Sequence, residues 1–230
     1  MLKRALVLYA KIPKAGEVKT RLTQGDHALS SQEAADLYRA LLSDSITKFI
    51  AHNNDYHFFI CVKKERDLFS SLFPGKYELL DDKGDGDLGR SMFMTTKRLI
   101  MRGYLAVCII GSDIPFLNHN MVLQAFQYIE NGYQVVLGPD HSGGCYLIGS
   151  RAPYPIFEQI EWSQGKDYKI IIERLNENNI QHQVLPIEMD IDTVEDFHQI
   201  SKEIHSNKST LYDEIPQTVQ FINMFHVKHI

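Results

Sequence analysis

Three polar loops carry most of the side chains that could do chemistry, and each follows an apolar run. The first loop contains several cations, a glycine and a hydroxyl: Lys11, Lys14, Gly16, Lys19, Thr20 and Arg21. Lysine and arginine neutralise phosphate oxygens, and glycine lets backbone N–H groups approach an anion. A Walker A loop is excluded because no second glycine precedes Lys19. The loop therefore predicts either a phosphate site or a solvated surface loop.

The second loop, Gly111-Ser112-Asp113-Ile-Pro115, follows the apolar run LAVCIIG. In open α/β sheets, ligands bind outside the carboxyl ends of the strands. A carboxylate there is well placed to hold Mg²⁺ or Mn²⁺ against a pyrophosphate. The alternative is that Asp113 begins an Asx turn before the proline.

The third loop begins at Gly138 and contains Pro139, Asp140, Gly143 and Gly144, with Tyr146 in the run that follows. Its paired glycines predict either a simple hairpin or bare backbone against which a sugar or nucleotide lies. A late acidic segment contains Asp190, Asp192, Thr193, Glu195 and Asp196. Asp192 or Thr193 is expected to cap the last helix, and capping and metal binding are not exclusive.

The elements that position these loops alternate along the chain. Apolar runs predict strands at 4–10, 57–62, 77–80, 105–111, 134–137, 145–149 and 183–187. Helical spacing follows the capping-box pair Ser30 and Glu33, and further helices are expected at 64–73, 90–101, 118–130, 167–177 and 194–204. The alternation predicts an α/β fold, a mostly parallel sheet with helices on both faces. Residues 1–205 form the predicted domain, and 206–230 an extension that could dock as a helix or mediate an oligomer contact.

Composition narrows the function classes. The net charge of −5 lacks the basic bias of a duplex-binding protein, so no nucleic-acid partner is expected. No apolar run approaches the roughly 18–20 residues needed to span a bilayer. Cys61, Cys108 and Cys145 form no CxxC pair and are expected to be small hydrophobic residues in a reducing cytoplasm. The sequence does not set the oligomeric state, although a homodimer is the commonest soluble assembly.

Taken in order, the motifs resemble those of the DUF2064 family of glycosyltransferase-A-like proteins, some of which are arsenosugar-biosynthesis glycosyltransferases. The resemblance covers about residues 5–200 and rests on KIPKAGEVKTRL, LSSQEAADLYRALLSD, GDLG, GSDIP, VVLGPDHSGGCYLIG, IFEQIEW and MDIDTVEDF. It implies a three-layer α/β/α nucleotide-diphospho-sugar transferase fold of the glycosyltransferase-A (SpsA-like) type.

The resemblance also implies roles for individual residues. The first loop would bind the nucleotide through Lys11, Lys14, Gly16, Lys19, Thr20 and Arg21, together with Ser112. Asp113, Lys19 and Arg21 would be catalytic, and Asp113 and Asp192 would hold Mg²⁺ or Mn²⁺. The sugar or acceptor would lie against Pro139, Asp140, Gly143, Gly144 and Tyr146. The implied substrates are a nucleoside diphosphate sugar or a nucleoside triphosphate, with a small-molecule acceptor.

Two departures from the family pattern bear on the activity. The family's D-G-G-Y-Y is Ser142-Gly-Gly-Cys145-Tyr146 here, and its G-D-L-G-E-R-M is G-D-L-G-R-S-M. Three functions stay open: glycosyl transfer from a nucleotide-activated sugar, nucleotidyl transfer of the 2-phospholactate guanylyltransferase type, and a catalytically impaired nucleotide-binding relative. The release of pyrophosphate would distinguish nucleotidyl from glycosyl transfer.

Overall fold

The computed structural model describes residues 3–162, 164–206 and 213–228. Its centre is a seven-stranded sheet in the order β3-β2-β1-β4-β6-β5-β7. The strands are β1 (Arg4–Ala10), β2 (His57–Val62), β3 (Glu78–Asp81), β4 (Ala106–Ile110), β5 (Val135–Pro139), β6 (Cys145–Ser150) and β7 (His182–Val184). β6 runs antiparallel to β4 and β5, and the other neighbours are parallel. The predicted mostly parallel sheet is confirmed.

Helices cover both faces of this sheet, so the predicted three-layer α/β/α architecture is also confirmed. They are α1 (Ser31–Ile50), α2 (Arg66–Leu72), α3 (Leu88–Met101), α4 (His119–Glu130), α5 (Asp167–Glu177), α6 (Val194–Ser206) and α7 (Pro216–Lys228), with a short 3-10 helix at Thr20–Thr23. α1 and α4 pack on one face, and α3 and α5 on the other. Alternating apolar side chains of β1, such as Leu6 and Val7, enter opposite cores because successive strand residues point to opposite faces.

The helices begin at side chains that the sequence identifies. Ser30 accepts a hydrogen bond from the backbone N–H of Glu33, whose side chain bonds back to Ser30. This completes the predicted capping box and satisfies two otherwise unpaired donors. Asn118 caps α4 by accepting from Met121. The end of each preceding loop is thereby fixed, which matters because those loops carry the polar side chains.

The described part of the C-terminal tail packs on the domain. α7 buries Val219, Ile222 and Phe225 against α1 and α6. The buried carboxylate of Asp44, in α1, accepts from the first backbone N–H groups of α7, at 3.0 Å from Gln217 and 2.8 Å from Thr218. Residues 207–212 and 229–230 lie outside the described residues. In the described ranges, no helix is long and apolar enough to cross a membrane.

Candidate active site

A cleft opens at the carboxyl ends of β1 and β4, beside the β5–β6 hairpin, and it has two halves. The basic half is a cavity of about 540 Å³ that contains the lysines of the cleft, Lys11, Lys19 and Lys63, together with Arg21 and the carboxylates of Asp82 and Asp87. The acidic half is a cavity of about 210 Å³ whose lining includes Asp140, Asp167 and Asp190. The two halves share part of their lining, namely Tyr9, Arg21, Leu88, Gly111, Asp113 and Asp192. The first, second and third loops and the late acidic segment therefore converge on one cleft.

Lys19 links the first loop to the two predicted metal ligands. Its Nζ lies 2.7 Å from Asp113 Oδ2 and 2.7 Å from Asp192 Oδ1. Burial lowers the pKa of Lys19, but the charges of Asp113 and Asp192 outweigh it and the net pKa is raised. Burial likewise opposes ionisation of Asp192, yet Lys19, Arg21 and Lys11 hold its pKa below the ordinary value. Lys19 and Asp192 are thus both charged near neutral pH.

The backbone keeps the two carboxylates together. The N–H of Ile191 donates to the carbonyl of Asp113 at 3.1 Å, which joins the loop after β4 to the segment before α6. Thr193 caps α6 and exchanges hydrogen bonds with Asp196. The capping prediction is therefore confirmed through Thr193, and the side chain of Asp192 is left to face Lys19.

Tyr38, in α1, forms hydrogen bonds with both the first and the second loop. Its hydroxyl accepts from the backbone N–H of Lys11 at 3.0 Å and lies 3.0 Å from Ser112 Oγ. The helical spacing of α1 predicts only that Tyr38 is buried. A buried tyrosine hydroxyl needs polar partners, and that need is the signal that could have marked Tyr38 as a support of the site.

The acidic half is built around the β5–β6 hairpin, and the predicted contact of this loop with a sugar or nucleotide stays a prediction. Asp140 Oδ1 accepts from Gly144 N at 2.7 Å and from Ser142 Oγ at 2.8 Å. Burial raises the pKa of Asp140 despite these bonds. Burial, followed by the charges of Asp140, Asp192 and Asp113, raises the pKa of Asp190 to about 7. Like charges gathered in a cleft are typical of functional sites.

Two further side chains line the acidic half and were missed as site residues by the sequence reasoning. The indole Nε1 of Trp162 is buried and has no hydrogen-bond partner among the described residues. Cys145, which stands where the family has a tyrosine, is only partly buried there, whereas Cys61 and Cys108 are buried as expected. An unpaired buried donor costs free energy, and because Nε1 is closed off from the cleft, a ligand oxygen could reach it only if the indole moved.

The G-D-L-G motif closes the cleft from the other side. Asp87 caps α3 by accepting from Arg90 N at 3.0 Å, and it also accepts from Gln159 N at 3.0 Å. Gly89 is required here because a Cβ at that position would lie 1.7 Å from the carbonyl oxygen of Phe157. Arg90, which departs from the family pattern, reaches Asp85 only at 3.9 Å on the surface.

The remaining predicted site residues divide between the cleft and its surroundings. Lys11, Thr20 and Ser112 line the basic half, and Gly144 and Tyr146 line the acidic half. The buried Tyr146 donates to Pro186 O at 3.0 Å. Lys14 pairs instead with Glu65 at 2.6 Å on the surface. Lys14, Gly16, Pro139 and Gly143 are outside the lining of both halves, and their binding roles stay predictions.

Asp113 and Asp192 are the two predicted ligands for Mg²⁺ or Mn²⁺. Carboxylate oxygens suit both ions. The Lys19 ammonium nevertheless bonds already to one oxygen of each carboxylate. A divalent cation on those same two oxygens would have to displace Lys19, and the metal role of Asp113 and Asp192 stays a prediction.

A second group of potential ligands lies at the end of α1 and the start of α4. His52, Asp55 and His119 each place one donor atom within 4.8 Å of the others. The two imidazole rings stack face to face at 3.6 Å, and His119 Nε2 lies 3.0 Å from Asp55 Oδ2. Stacked rings direct their nitrogen lone pairs side by side rather than toward one ion, so both rings would have to turn to bind a metal.

Fold and cleft together define the class of protein. The chain is an α/β domain with the fold of nucleotide-diphospho-sugar transferases, a fold that nucleotidyltransferases share. The family model of DUF2064, described as an uncharacterized protein conserved in bacteria, matches residues 47–164, just over half of the chain. The chain belongs to this family. No curated protein matches its sequence.

Solved structures agree with this assignment. A protein of Desulfovibrio desulfuricans G20 assigned as a nucleotide-diphospho-sugar transferase is 26% identical, with a TM-score of 0.82 over 98% of this chain and 99% of that one. A cytidylyltransferase from Leptospira borgpetersenii is 11% identical, with a TM-score of 0.56 over 96% and 98%. The 4-diphosphocytidyl-2C-methyl-D-erythritol synthase of Anaerococcus prevotii is 10% identical, with a TM-score of 0.53 over 89% and 99%. The latter two share the fold alone.

Proposed function

We propose that this protein transfers a glycosyl group from a nucleoside diphosphate sugar to a small-molecule acceptor. The observation that carries the proposal is the division of charge within one cleft. Lys11, Lys19 and Lys63 line only the first half, with Asp82 and Asp87, whereas Asp140, Asp167 and Asp190 line only the second half, and Arg21, Asp113 and Asp192 line both. A nucleoside diphosphate sugar is divided in the same way, because its diphosphate is anionic and its sugar is a neutral polyol.

The acidic half argues against a phosphate-bearing second substrate. Its carboxylates would repel an anion in a partly desolvated cavity, where charge interactions are stronger than in water. Sugar hydroxyls can instead donate to Asp140 and Asp190, which line this half. Nucleotidyl transfer of the 2-phospholactate type would place an anion in this half, so the charge favours glycosyl transfer.

The chemistry then follows from the residues at the junction. The acceptor hydroxyl oxygen bonds to the anomeric carbon as that carbon's bond to the diphosphate oxygen breaks. The acceptor proton passes to a carboxylate of the acidic half, and the leaving diphosphate gains negative charge. Lys19 and Arg21 stabilise that charge, a contribution that often dominates such reactions. Asp113 acts as a positioning residue by holding the Lys19 ammonium.

A thermal-shift panel tests this proposal. UDP, GDP, CDP, ADP and dTDP, their triphosphates and common sugar conjugates are each added with and without Mg²⁺ or Mn²⁺. A ligand at about 100 times its Kd adds roughly 2.7 kcal/mol of stability. Stabilisation by one diphosphate and its sugar conjugate, weakened in Asp113→Ala, would support the proposal and name the donor. A preference for a triphosphate with pyrophosphate release would favour nucleotidyl transfer, and no shift with any nucleotide would reject nucleotide binding.

A further inference from the structure

The position of Lys19 suggests which cation joins this site to a diphosphate. The Lys19 side chain is only 6% exposed, and its Nζ is the centre of a bridge between two segments far apart in sequence, at Asp113 and Asp192. Arg21 Nη1 lies 3.6 Å from the other oxygen of Asp192. Two carboxylates therefore face two cations, and their charge is balanced without a metal.

The backbone at Lys19 is shaped for this bridge. Its φ of 49° and ψ of 38° are left-handed, a conformation that is unfavourable for a residue with a Cβ. Two hydrogen bonds between charged groups offset that cost. The carboxylates are in turn held at their spacing by the bond from Ile191 N to Asp113 O. The bridge is therefore preorganised before any ligand arrives.

An ammonium has three N–H donors. At Lys19 two of them reach the carboxylates, and the third is available to a phosphate oxygen in the basic half, which Lys19 lines. A divalent metal in a related site would make the same connection between protein carboxylates and diphosphate. To make that connection through the same two carboxylate oxygens of Asp113 and Asp192, a metal would first have to displace the buried Lys19 ammonium.

We propose that the Lys19 ammonium replaces the divalent cation in this protein, so that a nucleoside diphosphate binds without metal. Lys19 joins Asp113 and Asp192 to the diphosphate, and Arg21 adds a second contact on the same side. This inference rests on the proposed function, since it concerns the same nucleotide. It differs from the expectation that Asp113 and Asp192 hold Mg²⁺ or Mn²⁺.

Isothermal titration of the full chain with each of the five nucleoside diphosphates, in EDTA and in Mg²⁺, tests the inference. We expect one diphosphate to bind with Kd values that agree within about threefold in the two buffers. Binding more than tenfold tighter in Mg²⁺ would overturn the inference while leaving the transferase proposal intact. No diphosphate binding in either buffer would overturn both. This comparison of EDTA with Mg²⁺ uses only the wild-type protein, so its result does not depend on whether a variant folds.

A matched pair of variants adds a second readout. Lys19→Met should weaken diphosphate binding at least tenfold in EDTA, whereas Lys169→Met, an exposed lysine of α5 that pairs with Glu173, should leave it unchanged. Lys19→Arg keeps the charge and should bind more tightly than Lys19→Met. Equal affinities for Lys19→Met and wild type, with both chains folded by circular dichroism, would overturn the inference.

Discussion

Removing the Lys19 charge should create a metal site that the wild-type protein lacks. The Asp113 and Asp192 oxygens that contact Nζ can be no more than 5.4 Å apart, twice the 2.7 Å bond length. Two like charges at that separation repel by about 3 kcal/mol at an effective dielectric constant near 20, and by less than about 1 kcal/mol in bulk water. Because the two side chains are 30% and 28% exposed, we expect Lys19→Met to lose about 1–3 kcal/mol of stability.

Mg²⁺ should restore that loss in the variant alone. At about 100 times its Kd, a bound ion adds roughly 2.7 kcal/mol, a shift of several degrees in Tm for a chain of this size. Thermal unfolding of wild type, Lys19→Met and the control Lys14→Met is followed in EDTA and in increasing Mg²⁺. Mg²⁺ is the better probe because His52 and His119 would suit a transition metal.

Either of two results would refute this reasoning. If Mg²⁺ stabilised wild type as much as Lys19→Met, the ammonium would not be occupying the position of the ion. If Lys19→Met were fully stable in EDTA and indifferent to Mg²⁺, the two carboxylates would not be close enough to repel each other. Lys14→Met should respond to Mg²⁺ as wild type does.

Two other predictions concern carboxylates outside the bridge. Asp190 has a folded pKa of about 7, above the ordinary value near 3.9. Its favourable contribution is therefore complete only below about pH 4 and is lost as the pH rises through 7. The denaturation midpoint of Asp190→Asn should equal that of wild type near pH 4 and lie at a higher denaturant concentration at pH 8 in EDTA. Equal midpoints at pH 8 would contradict a raised pKa for Asp190. Asp44→Ala removes both acceptors at the start of α7, so we expect a loss of about 1–2 kcal/mol and faster proteolysis near residue 216; unchanged cleavage would show that α7 is held by its apolar contacts alone.

Much of the fold could be predicted from the sequence because its signals are local. The capping box at Ser30 and Glu33 begins α1 where expected, and α5 spans the predicted residues 167–177. Apolar runs located the strands because both sides of the sheet are covered by helices. The length of an apolar run does not show whether its strand is parallel or antiparallel to its neighbours. β6 is antiparallel to β4 because the tight β5–β6 hairpin returns it into the sheet.

The site was predicted less completely because its geometry is not local. The Lys19 bonds to Asp113 and Asp192 join positions 94 and 173 residues apart, and no spacing rule gives that bridge. Loop membership and the family resemblance placed Lys14 with the phosphate ligands, and neither indicates its ion pair with Glu65 at the surface. Trp162 and Asp190 line the cleft. Their local sequence patterns predict only a loop for Trp162 and a helix cap near Asp190.

The departures in the third loop bear on whether this protein is a catalytically impaired relative. Ser142 replaces the family's aspartate, but its hydroxyl donates to Asp140, and the acidic half retains Asp140, Asp167 and Asp190. The smaller Cys145 in place of tyrosine leaves room in the cavity, which favours a changed acceptor over a lost one.

Three cleft residues that lower the stability of the protein also argue against a catalytically impaired relative. A left-handed lysine, a buried carboxylate with a pKa near 7 and a buried indole N–H that has no partner among residues 3–162, 164–206 and 213–228 each lower the stability of the free protein. None of them is needed to build the sheet or its helices. A domain kept only as a scaffold would gain stability by losing them, whereas a transferase needs all three in place before its substrates arrive.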